Sequence, residues 1–168
     1  MVILLFFILA LVQASFLPYF SIMGASVNLV FILFFTLVFF ENPGELSQSI
    51  FFAAIAGFFL DIASPFYFGY AMVSLVLVYF FVKMAGYFLR QSHDKHAISY
   101  FIPLFLCSLI FYNTLLYIST NIYHVQFNIG WIVFINLAYN AALAIGVFWI
   151  YKNIDQYHTA NRQLHLFK

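Results

Sequence analysis

The chain has 168 residues, of which 66% are hydrophobic and 7% charged, and its six Lys/Arg against five Asp/Glu leave a net charge of +1. A mean hydropathy of +1.03 excludes an ordinary soluble domain, which would expose too much apolar surface to water to stay dispersed. So few cations also exclude a nucleic-acid partner, because no basic stripe exists to neutralise a phosphate backbone.

The composition predicts an integral membrane protein of one domain, since no Pro/Ser-rich linker, charge block, low-complexity tract or repeat divides the chain. A membrane helix needs about 20 mainly apolar residues, and six stretches qualify. The first, 1–17, ends at Pro18. A short run closing on Val12-Gln13-Ala14 also has the form of a cleavable signal peptide, but no positive charge precedes it. The second, 21–40, ends at Asn42-Pro43-Gly44, and its weakly apolar 21–27 part reads as an irregular lead-in. The third, 46–63, ends at Ser64-Pro65, and the fourth, 68–89, at the polar stretch 91–96. The uncharged segment 121–128 separates the fifth, 98–119, from the sixth, 130–151, which leaves a tail over 152–168.

Lysine and arginine in short loops mark the cytoplasmic face. Lys83, Arg90 and Lys95 lie at or after the end of span four, and Lys152, Arg162 and Lys168 follow span six, whereas 18–20, 64–67 and 120–129 carry none. This one-sided bias predicts an even number of spans with both termini cytoplasmic. Tyr19, Phe20, Tyr67, Tyr70, Tyr87, Tyr100, Tyr123, Trp131 and Tyr151 fall near span ends, as interfacial aromatic belts do.

Asp61 is the only acid inside a predicted span. A charge at the centre of a bilayer helix costs about 2.5–3.5 kcal/mol on insertion scales, so such residues face a protein interior, a cavity or a partner. Ala53, Gly57 and Asp61 are spaced four apart on one helix face, with Ser64 near its end, and small residues at that spacing admit a neighbouring helix. Two readings stand: a packing or partner-contact surface, or a carboxylate that accepts backbone N–H groups at the start of span four. Asn28, Asn113, Asn136 and Asn140 are the asparagines within spans. Interhelical hydrogen bonding is the plain reading of Asn136 and Asn140, and a polar-lined cavity the sharper one.

Catalytic and metal chemistry lack their usual sets. A membrane aspartyl hydrolase needs a second carboxylate within the spans, and there is no Ser/His or Cys/His pairing, phosphate-cradling glycine loop or zinc-binding helix motif. His93 and His96, with Asp94 between them, have no further ligand residues nearby, and His124, His158 and His165 stand alone. Cys107 reads as a small apolar side chain packed against neighbours. The expectation is a protein that is not an enzyme and carries neither cofactor nor metal.

The stretches Ser15-Phe16, Ala25-Ser26-Val27-Asn28-Leu29-Val30, Ala56-Gly57-Phe58-Phe59-Leu60-Asp61-Ile62, Ser64-Pro65-Phe66 and Gly69-Tyr70-Ala71 together resemble the rod shape-determining MreD family. That family has a PNLVL-like opening to an early span, then a GLLLDL-like run followed by a small-residue turn and a proline-to-glycine element. Here Val27 stands where the family often has proline, and 66–69 lengthens the proline-to-glycine step. The resemblance covers 15–79, and the small-residue stripe with the turn that follows it makes Ala53, Gly57, Asp61, Ser64, Pro65 and Gly69 the candidate packing or partner-contact residues. It implies a non-catalytic inner-membrane component of the bacterial cell-wall elongation complex. The implied partners are an MreC-like single-span protein and, through it, MreB, RodA and a class B penicillin-binding protein. It also implies a fold like the six-helix substrate-binding subunits of energy-coupling-factor vitamin transporters, and such a subunit is the alternative function.

Overall fold

A computed structural model describes residues 2–21, 25–41, 46–64, 68–90, 97–121 and 131–166. Its regular elements are α1 (Val2–Ser15), a short 3-10 turn (Leu17–Phe20), α2 (Leu29–Phe40), α3 (Leu46–Ala63), α4 (Tyr70–Arg90), α5 (Ala97–Asn121) and α6 (Trp131–Leu166). The fold is all-α, with no β-strand among the described residues. Two helices, over Ile98–Ile118 and Trp131–Asn153, are long and apolar enough to cross a membrane, and the other four are shorter apolar helices.

One boundary follows the expected lead-in and another differs. The second helix starts at Leu29, after the 21–27 lead-in, because Asn28 leaves the helical region (φ −106°, ψ 82°) and turns its side chain back to cap the first turn of α2. The sixth does not stop at 151. It runs 36 residues to Leu166, about 54 Å at 1.5 Å per residue, because nothing from Lys152 to Leu166 is a glycine or proline that would end it. Pro18 behaves as expected: it occupies the first positions of the 3-10 turn just beyond α1, where a missing N–H does no harm.

α2 lies at the centre. Val30, Phe31, Ile32, Phe34, Phe35, Thr36 and Val38 are all buried, as a helix apolar all round requires, and it packs against α1, α3, α4 and α6. Phe35 meets Phe101 and Phe105 of α5 edge to face at 5.3 and 5.1 Å, and Phe31 meets Phe105 at 5.8 Å. Each such pair is worth about 0.5–1.5 kcal/mol beyond area burial. The buried hydroxyls of Thr36 and Ser108 donate to the carbonyls of Ile32 and Leu104 on their own helices, at 2.8 and 2.7 Å. Cys107 faces outward on α5 instead of packing inside.

The helices alternate in direction. At one end, which we term the ionic end, Phe40 stacks on Tyr151 at 4.4 Å, Phe39 meets Phe101 at 5.0 Å, and Lys83 Nζ lies 2.6 Å from Glu41 Oε2. The ends of α2 and α4, the start of α5 and the middle of α6 thus lie together. At the opposite, polar end, α1 and α3 finish where α2, α4 and α6 begin. Gln13 reaches Val30, Asp61 reaches Ala71, and Asn140 reaches Asn28 there.

The most extensive helix pairing is α3 with α4, and Gly57 is why they approach so closely. A Cβ placed on Gly57 would sit on the Met72 Cα and 2.7 Å from the Met72 nitrogen, both backbone atoms that cannot swing aside. Ala53 on the same α3 face and Ala71 on α4 are buried, so small side chains continue the contact. Gly57→Ala is therefore expected to destabilise the protein by about 1–3 kcal/mol through overpacking. Gly86→Ala and Gly146→Ala, whose added methyls meet no atom within 4 Å, should be neutral or stabilising by up to about 1 kcal/mol. Thermal unfolding of the three variants in one detergent checks this, and equal midpoints would disprove the backbone contact.

Candidate functional site

Every helix begins with backbone N–H groups that have no partner inside the helix, and in buried surroundings something other than water must accept them. At the polar end this need falls on the starts of α2 and α4. The side chains that meet it are most of the polar groups singled out from the sequence.

Asp61 stands in the last turn of α3 and is 4% exposed. Its Oδ2 accepts the N–H groups of Gly69 at 2.9 Å and Met72 at 3.2 Å, and its Oδ1 accepts that of Ala71 at 2.8 Å. Its own carbonyl accepts the Ser64 N–H at 3.3 Å where α3 finishes. Gly69 brings these donors round. It adopts φ +100°, a conformation L side chains rarely take, and its carbonyl receives the first helical bond of α4, from Val73 at 3.0 Å. Asp61 thus caps α4 from a neighbouring helix, with a negative charge against the positive end of the helix dipole. Of the two readings of Asp61, the geometry places the side chain in the N–H-accepting one, while Ala53 and Gly57 below it face the α3–α4 contact.

α2 is capped from three directions. Asn28 Oδ1 accepts the Phe31 N–H at 2.9 Å, and the Asn28 carbonyl accepts that of Ile32 at 3.0 Å. Gln13 of α1 accepts the Val30 N–H through Oε1 at 3.3 Å. Asn140, fully buried on α6, accepts the Asn28 N–H at 2.8 Å and turns its Nδ2 towards Asn136 Oδ1, the Asn136 carbonyl and the Ser26 carbonyl, at 3.0, 2.8 and 3.4 Å. Asn136 Nδ2 donates to the same Ser26 carbonyl at 3.0 Å. The two amides therefore do not bridge to an amide on another helix. They serve the extended backbone of 26–28, which has no helical partners of its own.

Between these caps lies a cavity of about 340 Å³, lined by the end of α1, residues 26–28, the end of α3, the start of α4, the second half of α5 and Asn136 of α6. Asp61, Ser64, Asn28, Asn113 and Tyr112 border it. Asn113 stays outside the network, with no hydrogen bond among the described residues. The structure brings Asn28, Asp61, Ser64, Asn113 and Asn136 to one end, with Gly69 beside them, whereas Pro65 lies outside the described residues, as do His93, Asp94, His96 and His124. No cluster of three or more His, Cys, Asp or Glu residues placed to hold a metal occurs among the described residues. Gln13 was not singled out from the sequence as a cap, although a lone polar residue in an otherwise apolar helix was the available signal. The buried Tyr112, with its side chain against Asn28, gave none.

Replacing Asp61 tests the corner directly. Asp61→Leu orphans three buried or half-buried N–H groups at about 1–3 kcal/mol each, so a loss of about 3 kcal/mol or more is expected. Asp61→Asn retains one acceptor oxygen and should lose less, with amide hydrogen exchange quickening first at Ala71 and Met72. Similar stability of the leucine variant and the parent would rule the cap out. On α6, Asn140→Leu should cost about 2 kcal/mol and Asn136→Leu less, because only Asn140 reaches the Asn28 N–H. Urea or thermal titration that ranked them the other way would refute the assignment.

Comparison with family models, curated proteins and solved structures finds no match to this chain.

Proposed function

We propose that this chain is a non-catalytic, six-span scaffold of the MreD kind in the bacterial inner membrane, with both termini in the cytoplasm. It acts in cell-wall elongation by docking an MreC-like single-span protein and, through it, MreB, RodA and a class B penicillin-binding protein. The observation that carries this reading is that the residues of the resemblance form one structural unit. Ser26, Asn28, Gly57, Asp61, Gly69 and Ala71 are the positions that build the helix caps and the α3–α4 contact at the polar end.

The alternation of helix directions supports six crossings. The sorting of charge agrees, since Lys83, and Lys152 beside Trp149, belong to the ionic end, opposite the polar cluster. α2 has 12 residues, about 18 Å, and falls short of a hydrocarbon core of about 30 Å. Residues 25–28 complete its crossing without helical bonds. Such backbone is tolerated at membrane depth only where protein groups satisfy it, and Asn136 and Asn140 do so. A vitamin-transporter subunit that took an anionic vitamin would want a cation in its pocket, and the cavity lining contains no lysine or arginine.

Depleting the protein in a rod-shaped host is expected to round the cells, and the tagged chain is expected to co-purify with an MreC-like protein. Tags on the two termini should both be protected from external protease. Rods of normal width together with no such association would remove the scaffold reading, and termini on opposite faces would remove the six-span topology.

A further inference from the structure

The caps use most of the polar groups at the polar end, and the unused ones face the cavity. Asn113 lies within α5, is exposed and borders the cavity, and makes no hydrogen bond among the described residues. Gln13 spends its Oε1 on the Val30 N–H and keeps its NH2 group. On Asp61, Oδ2 accepts two N–H groups and Oδ1 only one, so Oδ1 retains an acceptor position. The rest of the wall is mixed: Pro18, Val27, Leu60, Leu109 and Leu116 are apolar, and Ser64 and Tyr112 add hydroxyls beside the capping amides. At about 340 Å³ the cavity falls within the range of small-molecule sites, which combine apolar walls with a few placed polar groups.

We infer that this cavity is a binding site for an uncharged small molecule that carries an amide on an apolar body, held through the free amide of Asn113. Charge sets the class. An anion would be brought beside the Asp61 carboxylate with no lysine or arginine in the wall to offset it. A purely apolar molecule would leave Asn113 unsatisfied. A neutral amide supplies a donor and an acceptor together, and matches a wall that offers both. This assignment does not depend on the scaffold role, because it concerns occupancy of the cavity whatever docks outside it.

Benzamide and benzoate, nearly the same in shape but different in charge, separate the possibilities. Ligand-observed saturation-transfer NMR on the full chain in detergent micelles, with empty micelles as reference, should give saturable benzamide binding and benzoate binding at least about tenfold weaker, equivalent to about 1.4 kcal/mol. Asn113→Leu removes the amide, and Leu116→Phe fills the cavity from the same helix without touching the amide. Each should weaken benzamide about tenfold. The second variant decides the matter if the first does not fold. Equal binding of the two probes, a benzamide signal no greater than in empty micelles, or binding retained in the folded variants would overturn the site.

Discussion

The start of a helix in apolar surroundings leaves backbone N–H groups that water cannot reach, and the arrangement of this protein depends on how two such starts are satisfied. Asp61 serves α4, and Asn28 with Gln13 serves α2, while Asn140 holds the chain that leads into α2. Each acceptor but Asn28 comes from a different helix than the one it caps. The caps are therefore tertiary contacts as well as local ones. They tie α3 to α4, α1 to α2 and α6 to α2, in a core otherwise held by non-directional apolar packing and aromatic pairs. In a bilayer, where helix association gains nothing from burying hydrocarbon already surrounded by hydrocarbon, such directional contacts carry more of the specification of the fold.

The α3–α4 corner shows how two small requirements depend on each other. Asp61 reaches the first turn of α4 only because the helices approach closely, and Gly57, one turn earlier on α3, allows that approach at Met72. The Met72 N–H is itself one of the three that Asp61 accepts. A side chain at residue 57 would push away the donor that residue 61 needs, so the two positions act as a unit. Gly69 completes it from the other side of the turn, with a backbone conformation that aims its N–H back at the carboxylate.

The sequence made the polar positions conspicuous, since an acid or amide stands out in a chain that is 66% hydrophobic. It also carried the alternative that Asp61 accepts the N–H groups of α4, because donor and acceptor are separated only by a short turn. Beyond the Ala53–Gly57–Asp61 face it was silent on which side of each helix faces the core. Cys107 illustrates the reason: a helix face turned to lipid and one turned to other helices are equally apolar, so periodicity carries no signal, and an expected core residue lies on the outside. Long-range partners were hidden in the same way. Asn28 and Asn140 are 112 residues apart, and nothing local to either names the other. The weak hydropathy of 21–27 marked an irregular lead-in to α2, but the Asn28 cap that sets the start at Leu29 depends on geometry that composition does not carry.

The same geometry limits what Asp61 and its neighbours offer to any other protein. Asp61 has three backbone donors and is almost wholly enclosed, so little of it remains for another protein to touch. The Ala53–Gly57 face is occupied by α4. A variant at either position would disturb association by loosening the α3–α4 corner, which makes loss of a complex at Asp61 a measure of fold integrity and not of contact. Most polar groups of the interior, Asn113 excepted, are consumed in building the bundle. Contact with another membrane protein would then draw on the outer surfaces of the helices, where close packing of side chains against side chains decides affinity.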